Sequence, residues 1–168
     1  MPDAVIHIRR QEPSDAAALH DIYSQPKVIW GTLQMPYPSL HEWQAGSAEE
    51  PRRMTRLVAC TEERVVGNLA IWTFPSQRRR HAGEIAMAVH DAWQGKGVGT
   101  ALVAAAMDLA DNWLDLARVE LQVFVDNEPG KRLYERHGFE IEGTLQQFAY
   151  REGSYVDVYA MARLRRDA

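Results

Sequence analysis

Three glycines at alternate positions, Gly95, Gly97 and Gly99, stand between an apolar strand-like segment and a strongly amphipathic helical segment. Glycine has no Cβ atom, so the backbone N–H groups of such a segment can converge on an anion. The N-terminus of the following helix adds unpaired N–H groups and partial positive charge at the same point. This combination favours a loop that binds a phosphate or pyrophosphate over a simple glycine-rich turn.

The residues around these glycines exclude two common nucleotide-binding motifs. Thr100 follows Gly99 without the lysine of a Walker A loop, and it stands where a dinucleotide fingerprint needs glycine. Residues 94–99 match the pattern Gln/Arg-x-x-Gly-x-Gly/Ala and so resemble the acetyl-CoA loop of the GNAT superfamily of N-acetyltransferases. Residues 127–139 are similar to a second block of that superfamily. Within it the chain looks most like the bacterial L-amino-acid N-acetyltransferases, in segments such as 32–39 and 153–157.

The resemblance implies that acetyl-CoA is the co-substrate. It implies that the glycine loop holds the pyrophosphate and that Asn127, also a candidate helix cap, contacts the pantetheine arm. A bulge in the preceding strand would turn the backbone N–H of Met87 or Val89 toward the acetyl oxygen, where such donors stabilise negative charge. The cofactor-binding residues expected on this basis are Met87, Val89, Gln94, Gly95, Lys96, Gly97, Val98, Gly99, Thr100 and Asn127.

Two residues are candidates for the proton transfers that acetylation of an amine requires. The resemblance places Tyr134 on the helix that faces the thioester sulfur, where a phenol can protonate the departing thiolate. The sequence alone would favour a core aromatic at this position. Glu84 precedes the glycine loop on a strand and is a candidate general base acting through water, or equally an exposed polar position of an alternating strand.

The predicted acceptor is the α-amino group of a small, apolar L-amino acid such as phenylalanine or methionine, acetylated by direct transfer. An α-amino group has a pKa near 8 and therefore needs only a modest base. In the superfamily, residues corresponding to 30–43 and the end of the sheet line the acceptor side. The expected substrate-binding residues are Gln34, Tyr37, Tyr155 and Asp157. Trp30, Tyr37 and Trp43 are candidates for an apolar wall, and half of these aromatics could equally belong to the core.

Other functions stay open at this stage. The acceptor could be a protein N-terminus, a polyamine, or a toxin such as phosphinothricin or methionine sulfoximine. A different class of answer is a sensor that binds acetyl-CoA without turnover. The basic cluster at residues 77–81 favours a solvated hairpin tip over a nucleic-acid contact.

The composition is typical of a globular protein, and we expect residues 1–168 to form one acetyltransferase domain. Nineteen Lys and Arg against 23 Asp and Glu argue against general nucleic-acid binding. A single cysteine, Cys60, excludes an intrachain disulfide, and the histidine spacing predicts no metal. The absence of a membrane span or signal peptide in the sequence favours a cytoplasmic protein. The resemblance implies a homodimer.

The hydrophobic pattern predicts an α/β fold in the order βααβββαβαββ, with a mixed central sheet flanked by helices, which is the order of the GNAT fold. Residues 25–38 carry three prolines and are expected to be irregular. The long helix should bury Val98, Leu102, Ala106, Leu109 and Trp113. Strands are expected near 4–10, 56–62, 65–75, 81–89, 119–125, 139–148 and 154–163. Helices are expected near 15–24 with Ser14 as cap, near 39–49 with Ser39 and Glu42 at the spacing of a capping box, and near 98–113 and 128–137.

Overall fold

The computed structural model describes residues 5–46, 53–62 and 64–165, which form a mixed seven-stranded sheet with helices on both faces. The order of strands across the sheet is β1-β2-β3-β4-β5-β7-β6. The strands are β1 (His7–Arg10), β2 (Met54–Cys60), β3 (Val65–Thr73), β4 (Ala82–Val89), β5 (Arg118–Phe124), β6 (Glu140–Arg151) and β7 (Ser154–Leu164). The helices are α1 (Ala16–Tyr23), α2 (Pro26–Gly31), α3 (Leu40–Gly46), α4 (Val98–Asn112) and α5 (Glu128–Arg136). The predicted fold class is confirmed.

Side chains alternate along each strand, so the sheet has two apolar faces that pack against different helices. On one side, Ile85 of β4 and Leu121 of β5 belong to the buried cluster that contains α4 and Tyr134 of α5. On the other side, Val58 of β2 and Ala88 of β4 pack with residues of α1 and α2. We call these the α4 face and the α1 face.

The segment 25–38, predicted to be irregular, contains the short helix α2. Pro26 occupies its first turn, where the fixed φ of proline suits a helix and no N–H is missed. The Asp91 carboxylate accepts a hydrogen bond from the backbone N–H of Lys27 at 3.0 Å. This bond joins residues 64 positions apart. A local sequence pattern therefore could not predict it, and the segment was predicted to be irregular.

Two other local predictions were wrong. Ser14 does not cap α1, because the chain enters that helix through a 3-10 turn in which Asp15 accepts the backbone N–H of Glu12 at 2.8 Å. Trp113 is 76% exposed, because α4 ends at Asn112 and the backbone of Trp113 leaves the helical conformation. The predicted cap of α3 is confirmed by the 3.4 Å bond from the N–H of Glu42 to Ser39 Oγ. The last predicted residues of that helix, 47–49, lie outside the described residues.

Strands β4 and β5 are parallel neighbours that separate along their length. In the described chain their pairing covers Ala82–Glu84 of β4 only, although β4 continues to Val89. Pairing of β4 with β3 is continuous in register from Gly83 to Val89. The sheet therefore opens between β4 and β5 toward the carboxyl ends of both strands, and the glycine loop and α5 begin at that opening. None of the helices in the described ranges is long and apolar enough to cross a membrane.

Candidate active site

A cleft of about 1150 Å³ occupies the opening between β4 and β5. Its lining includes Gly97 and Tyr134, which belong to elements on the α4 face. It also includes Glu84 and Phe124, which alternation places on the α1 face together with Trp30 of α2. The cleft therefore runs through the sheet, so two ligands that enter from opposite faces can meet inside it.

The glycine loop forms the floor of this cleft on the α4 face. Gly95 and Gly97 have φ values of +71° and +83°, a left-handed conformation that favours glycine. Gly97 is also the N-cap of α4, so the unpaired N–H groups of the first helical turn open toward the loop. A Cβ on Gly99 would stand 2.9 Å from a Leu133 methyl carbon, so glycine there permits α4 and α5 to approach closely. These features suit a pyrophosphate.

Most of the residues predicted to contact the cofactor line the cleft, and two side chains do not. The Lys96 ammonium lies over the Trp93 ring at 5.1 Å from its centroid, and Val98 is buried in the core. Of the predicted cofactor-binding residues, those that line the cleft are Met87, Val89, Gln94, Gly95, Gly97, Gly99, Thr100 and Asn127.

The side chains of Gln94 and Asn127 hold the backbone around the cleft. Gln94 Nε2 donates to the carbonyl of Val89 at 3.1 Å, which ties the loop to the end of β4. Asn127 Oδ1 accepts the N–H of Gly130 at 3.1 Å and so caps α5. The helix-cap interpretation of Asn127 is confirmed, and a contact with the pantetheine arm stays a prediction.

The end of β4 offers backbone donors to the cleft without the predicted bulge. The N–H of His90 donates to Val66 on β3 at 2.9 Å, and the register with β3 is unbroken. Because donors alternate in an antiparallel pair, the N–H groups of Met87 and Val89 point the other way, toward the opening left by β5. The predicted bulge is therefore wrong. The separation of β4 from β5 frees the N–H groups of Met87 and Val89 instead.

Tyr134 projects from α5 into the α4 face and lines the cleft. It is 9% exposed and packs edge-to-face on Phe139 with ring centroids 5.8 Å apart. Burial raises the pKa of its phenol to about 12, so the hydroxyl stays protonated at neutral pH. Burial also raises the pKa of a thiol that forms beside Tyr134, because a phenolate and a thiolate both lose hydration in a buried site.

Glu84 lies on the α1 face at the narrow end of the opening, where β4 and β5 still pair. Burial raises the pKa of its carboxyl, and the nearby Glu120 carboxylate raises it further. Arg79 and a hydrogen bond from Gln122 partly oppose these effects. The pKa of the Glu84 carboxyl therefore lies closer to neutral pH than that of an exposed glutamate. This is the direction that a general base requires.

The residues predicted to bind the acceptor are not among those that line this cleft. Tyr37 is 98% exposed, and Tyr155 is exposed and packs on Tyr150 at the end of the last hairpin. Gln34 Nε2 donates to the carbonyl of Met35 at 3.3 Å. The Asp157 carboxylate accepts the backbone N–H of Gln147 at 2.7 Å and supports an irregular stretch of β6. Their roles in binding an acceptor stay predictions.

Comparison with known proteins agrees with this geometry. Residues 16–139 match the model of the acetyltransferase (GNAT) family. The chain belongs to that family. It is 44% identical over 160 residues to the L-amino acid N-acetyltransferase AaaT of Escherichia coli (strain K12), covering 95% of this chain and 98% of that relative.

Solved structures share the fold of this acetyltransferase. Spermidine N-acetyltransferase from Vibrio cholerae, in complex with CoA and spermine, has a TM-score of 0.84 at 24% identity and covers 95% of each chain. The structure of yncA from Salmonella typhimurium with its cofactor acetyl-CoA has a TM-score of 0.79 at 21% identity, over 97% of this chain and 95% of that one.

The structure also brings residues into the acetyltransferase cleft that the sequence did not single out. Phe124 lines the cleft at the end of β5 and Phe148 lines it from β6, and Gln122 bonds to Glu84. Trp30 was one of three candidates for an aromatic wall, and it lines the cleft. Trp43 instead stacks on Tyr23 at 4.7 Å. The alternation of side chains along β5 could have pointed to Gln122 and Phe124, because it places both on the face of the sheet opposite Val123.

Proposed function

We propose that this acetyltransferase transfers the acetyl group of acetyl-CoA directly to the α-amino group of a small, apolar L-amino acid. The observation that carries the proposal is the cleft through the sheet, with an anion-binding loop on one face and a carboxyl beside aromatic side chains on the other. The likeness to the L-amino acid N-acetyltransferase of Escherichia coli supports the acceptor class. The acetyl-CoA found with the structural neighbour yncA is consistent with the donor.

The loop residues fit the donor because glycine φ values and an open helix N-terminus leave donors free for its pyrophosphate. When bound, acetyl-CoA supplies an activated acetyl group. Glu84 removes a proton from the incoming amine through water, which its raised pKa favours. The N–H groups of Met87 and Val89 stabilise the charge that develops on the acetyl oxygen, and the Tyr134 hydroxyl donates a proton to the departing sulfur.

The charges around the cleft favour an amino acid over a polyamine. A polyamine needs uncompensated carboxylates for its several ammonium groups. The Asp126 carboxylate at the cleft is paired with Arg151, and the Glu120 carboxylate is paired with Arg79 and Arg118. Glu128, which also lines the cleft, is paired with Lys131 and Arg132. Among the described residues that line the cleft, Glu84 is therefore the carboxyl left for a single amine, and the aromatic rings beside it suit an apolar side chain.

We expect purified protein to release CoA from acetyl-CoA with phenylalanine or methionine and to do so more slowly with glycine or spermidine. The reason is that an apolar side chain gains contact with the aromatic wall, which is worth about 1–3 kcal/mol for each methylene group that fills an apolar pocket. The measurement is thiol release against all twenty amino acids, spermidine and methionine sulfoximine, with the product mass checked for N-acetylation. Binding of acetyl-CoA without turnover of any amine would contradict the proposal and favour a sensor.

The raised pKa of Glu84 predicts an acid limb in the pH dependence of kcat. Only the carboxylate accepts a proton, so kcat at saturating substrates falls as pH drops through this pKa. We expect Glu84→Gln to lower kcat about 100-fold and to remove the limb. Glu120→Gln removes a like charge, lowers the pKa of Glu84 and moves the limb to lower pH. An acid limb that persists unchanged in Glu84→Gln would assign the base elsewhere.

We also propose that the acetyltransferase is a cytoplasmic homodimer that uses the β6 edge of its sheet. β6 is twelve residues long and lies at the end of the sheet, with Ile141, Leu145 and Phe148 exposed. A long edge strand with exposed apolar side chains is a template for pairing with another chain. A second copy of this chain is the partner we propose. The dependence on acetyl-CoA supports a cytoplasmic location.

A further inference from the structure

Arg151 is the last residue of β6, and its side chain is 14% exposed. The backbone of Arg151 pairs with Ser154 across the two-residue turn Glu152–Gly153, in which both φ values are positive. Turns of that kind match the twist of the strands they join. The turn therefore fixes the point from which the Arg151 side chain extends back toward the cleft.

The guanidinium of Arg151 contacts three residues that line the cleft. Its Cζ lies 4.2 Å from the centroid of the Trp30 ring and 4.9 Å from that of the Phe124 ring. It forms an ion pair with Asp126, and Nη1 donates to the carbonyl of Trp30 at 3.2 Å. A planar guanidinium can lie flat against a ring while its edge bonds to a carboxylate, and the tetrahedral ammonium of lysine lacks this geometry.

These contacts hold α2 at its carboxyl end. The opposite end of α2 is held by the Asp91 carboxylate, which accepts the N–H of Lys27. A helix of six residues is too short to be stable by itself. Its position over the cleft therefore depends on tertiary contacts: Val28 is buried against α1 and the sheet, and the contacts of Asp91 and Arg151 hold the two ends. Asp91 belongs to the segment that leads into the glycine loop, and Arg151 belongs to the last hairpin.

We infer that Arg151 is a positioning residue that fixes the aromatic wall of Trp30 and Phe124 on the α1 face, and that it thereby sets the preference for acceptors with large apolar side chains. The inference rests on the proposed function, since it assumes that the amine enters from the α1 face. The Arg151 side chain acts through the rings it holds and is itself outside the cleft lining. Loss of its contacts loosens the wall and leaves the glycine loop and Tyr134 in place.

The test is a kinetic comparison of Arg151→Gln, Arg151→Lys and Arg165→Gln with the wild type. Arg165 is a matched control because it is also partly buried and paired, with Asp115, away from the cleft. We expect Arg151→Gln to raise the KM for phenylalanine about tenfold, because small displacements of a binding wall have large effects. The KM for alanine, the Kd for acetyl-CoA and kcat should each change less than twofold. Arg151→Lys keeps the charge and loses the planar stacking, so it should rescue the KM only partly.

The outcomes separate this inference from the proposed function. Equal KM changes for phenylalanine and alanine, or equal changes in Arg151→Gln and Arg165→Gln, would indicate general destabilisation and overturn the inference alone. An unchanged KM for phenylalanine in Arg151→Gln would do the same. Failure of the wild type to acetylate any amino acid would overturn the proposed function and this inference with it.

Discussion

Tyr134→Phe should lower kcat by about 100-fold or more, since a positioned general acid contributes at least that much. The substitution removes one hydroxyl from a buried ring that packs on Phe139, and phenylalanine keeps that packing. We therefore expect the Kd for acetyl-CoA and the melting temperature to stay close to the wild-type values. Because burial raises the pKa of Tyr134 to about 12, the wild-type kcat should show no alkaline limb from this group below pH of about 10.

Tyr159→Phe is the matched control for this experiment. Tyr159 packs against the same buried cluster, and its side chain is outside the cleft lining. We expect its kcat to stay within twofold of the wild type. A Tyr134→Phe enzyme with wild-type kcat would show that the proton reaches the sulfur from another group or from solvent, and the candidate general acid would be withdrawn.

Gly97→Val should weaken acetyl-CoA binding by about 100-fold, which corresponds to two lost charge-assisted hydrogen bonds at about 1.5 kcal/mol each. The φ of Gly97 is +83°, a conformation that a β-branched residue rarely adopts. Valine therefore moves the loop backbone, and the N–H groups at the start of α4 no longer converge. Its side chain also occupies space at the loop that is open in the wild type. Titration calorimetry with acetyl-CoA measures the change.

Gly153→Val is the control for backbone strain. Gly153 has the same φ of +83° and the same open surroundings, and it lies at the turn after β6. Valine at either position costs about 1–2 kcal/mol of left-handed strain, so both variants should lose similar stability in denaturant unfolding. We expect only Gly97→Val to lose affinity for acetyl-CoA. Equal losses in the two variants would mean that the effect is destabilisation and that the loop has no special role in binding.

Local sequence predicted those elements whose stability is mainly local. The alternating residues of β5 and the three- and four-residue spacing in α4 each reflect burial on one face, which depends on the period of the backbone itself. The glycine loop was predicted for the same reason, because φ values of +71° and +83° are a property of the residue type. The match of residues 16–139 to the acetyltransferase (GNAT) family agrees with that prediction.

The elements that were missed depend on contacts between distant residues. α2 was predicted as irregular because its stabilising partners, Asp91 and Arg151, are 64 and 121 residues away from the atoms they bond in α2. Trp113 was placed in the core because the helical spacing continued past the point where the helix ends. A bulge was expected in β4, and the structure instead separates β4 from β5 after Glu84. The point of separation depends on how the two strands pair, which the local sequence does not show.

The sequence by itself determined the fold class and predicted the anion-binding loop and the candidate base, since each of these depends on residue type and short-range spacing. Tyr134 was predicted as the acid from the family resemblance, because residue type and spacing alone favour a core aromatic there. The tertiary structure decided which side chains share the cleft. It brings Trp30, Phe124 and Arg151 together from α2, β5 and β6, and it separates the loop and Glu84 onto opposite faces of the sheet. Such a juxtaposition arises from the crossing of chain segments more than 20 residues apart, and the energies that select it come from packing and desolvation in the folded state.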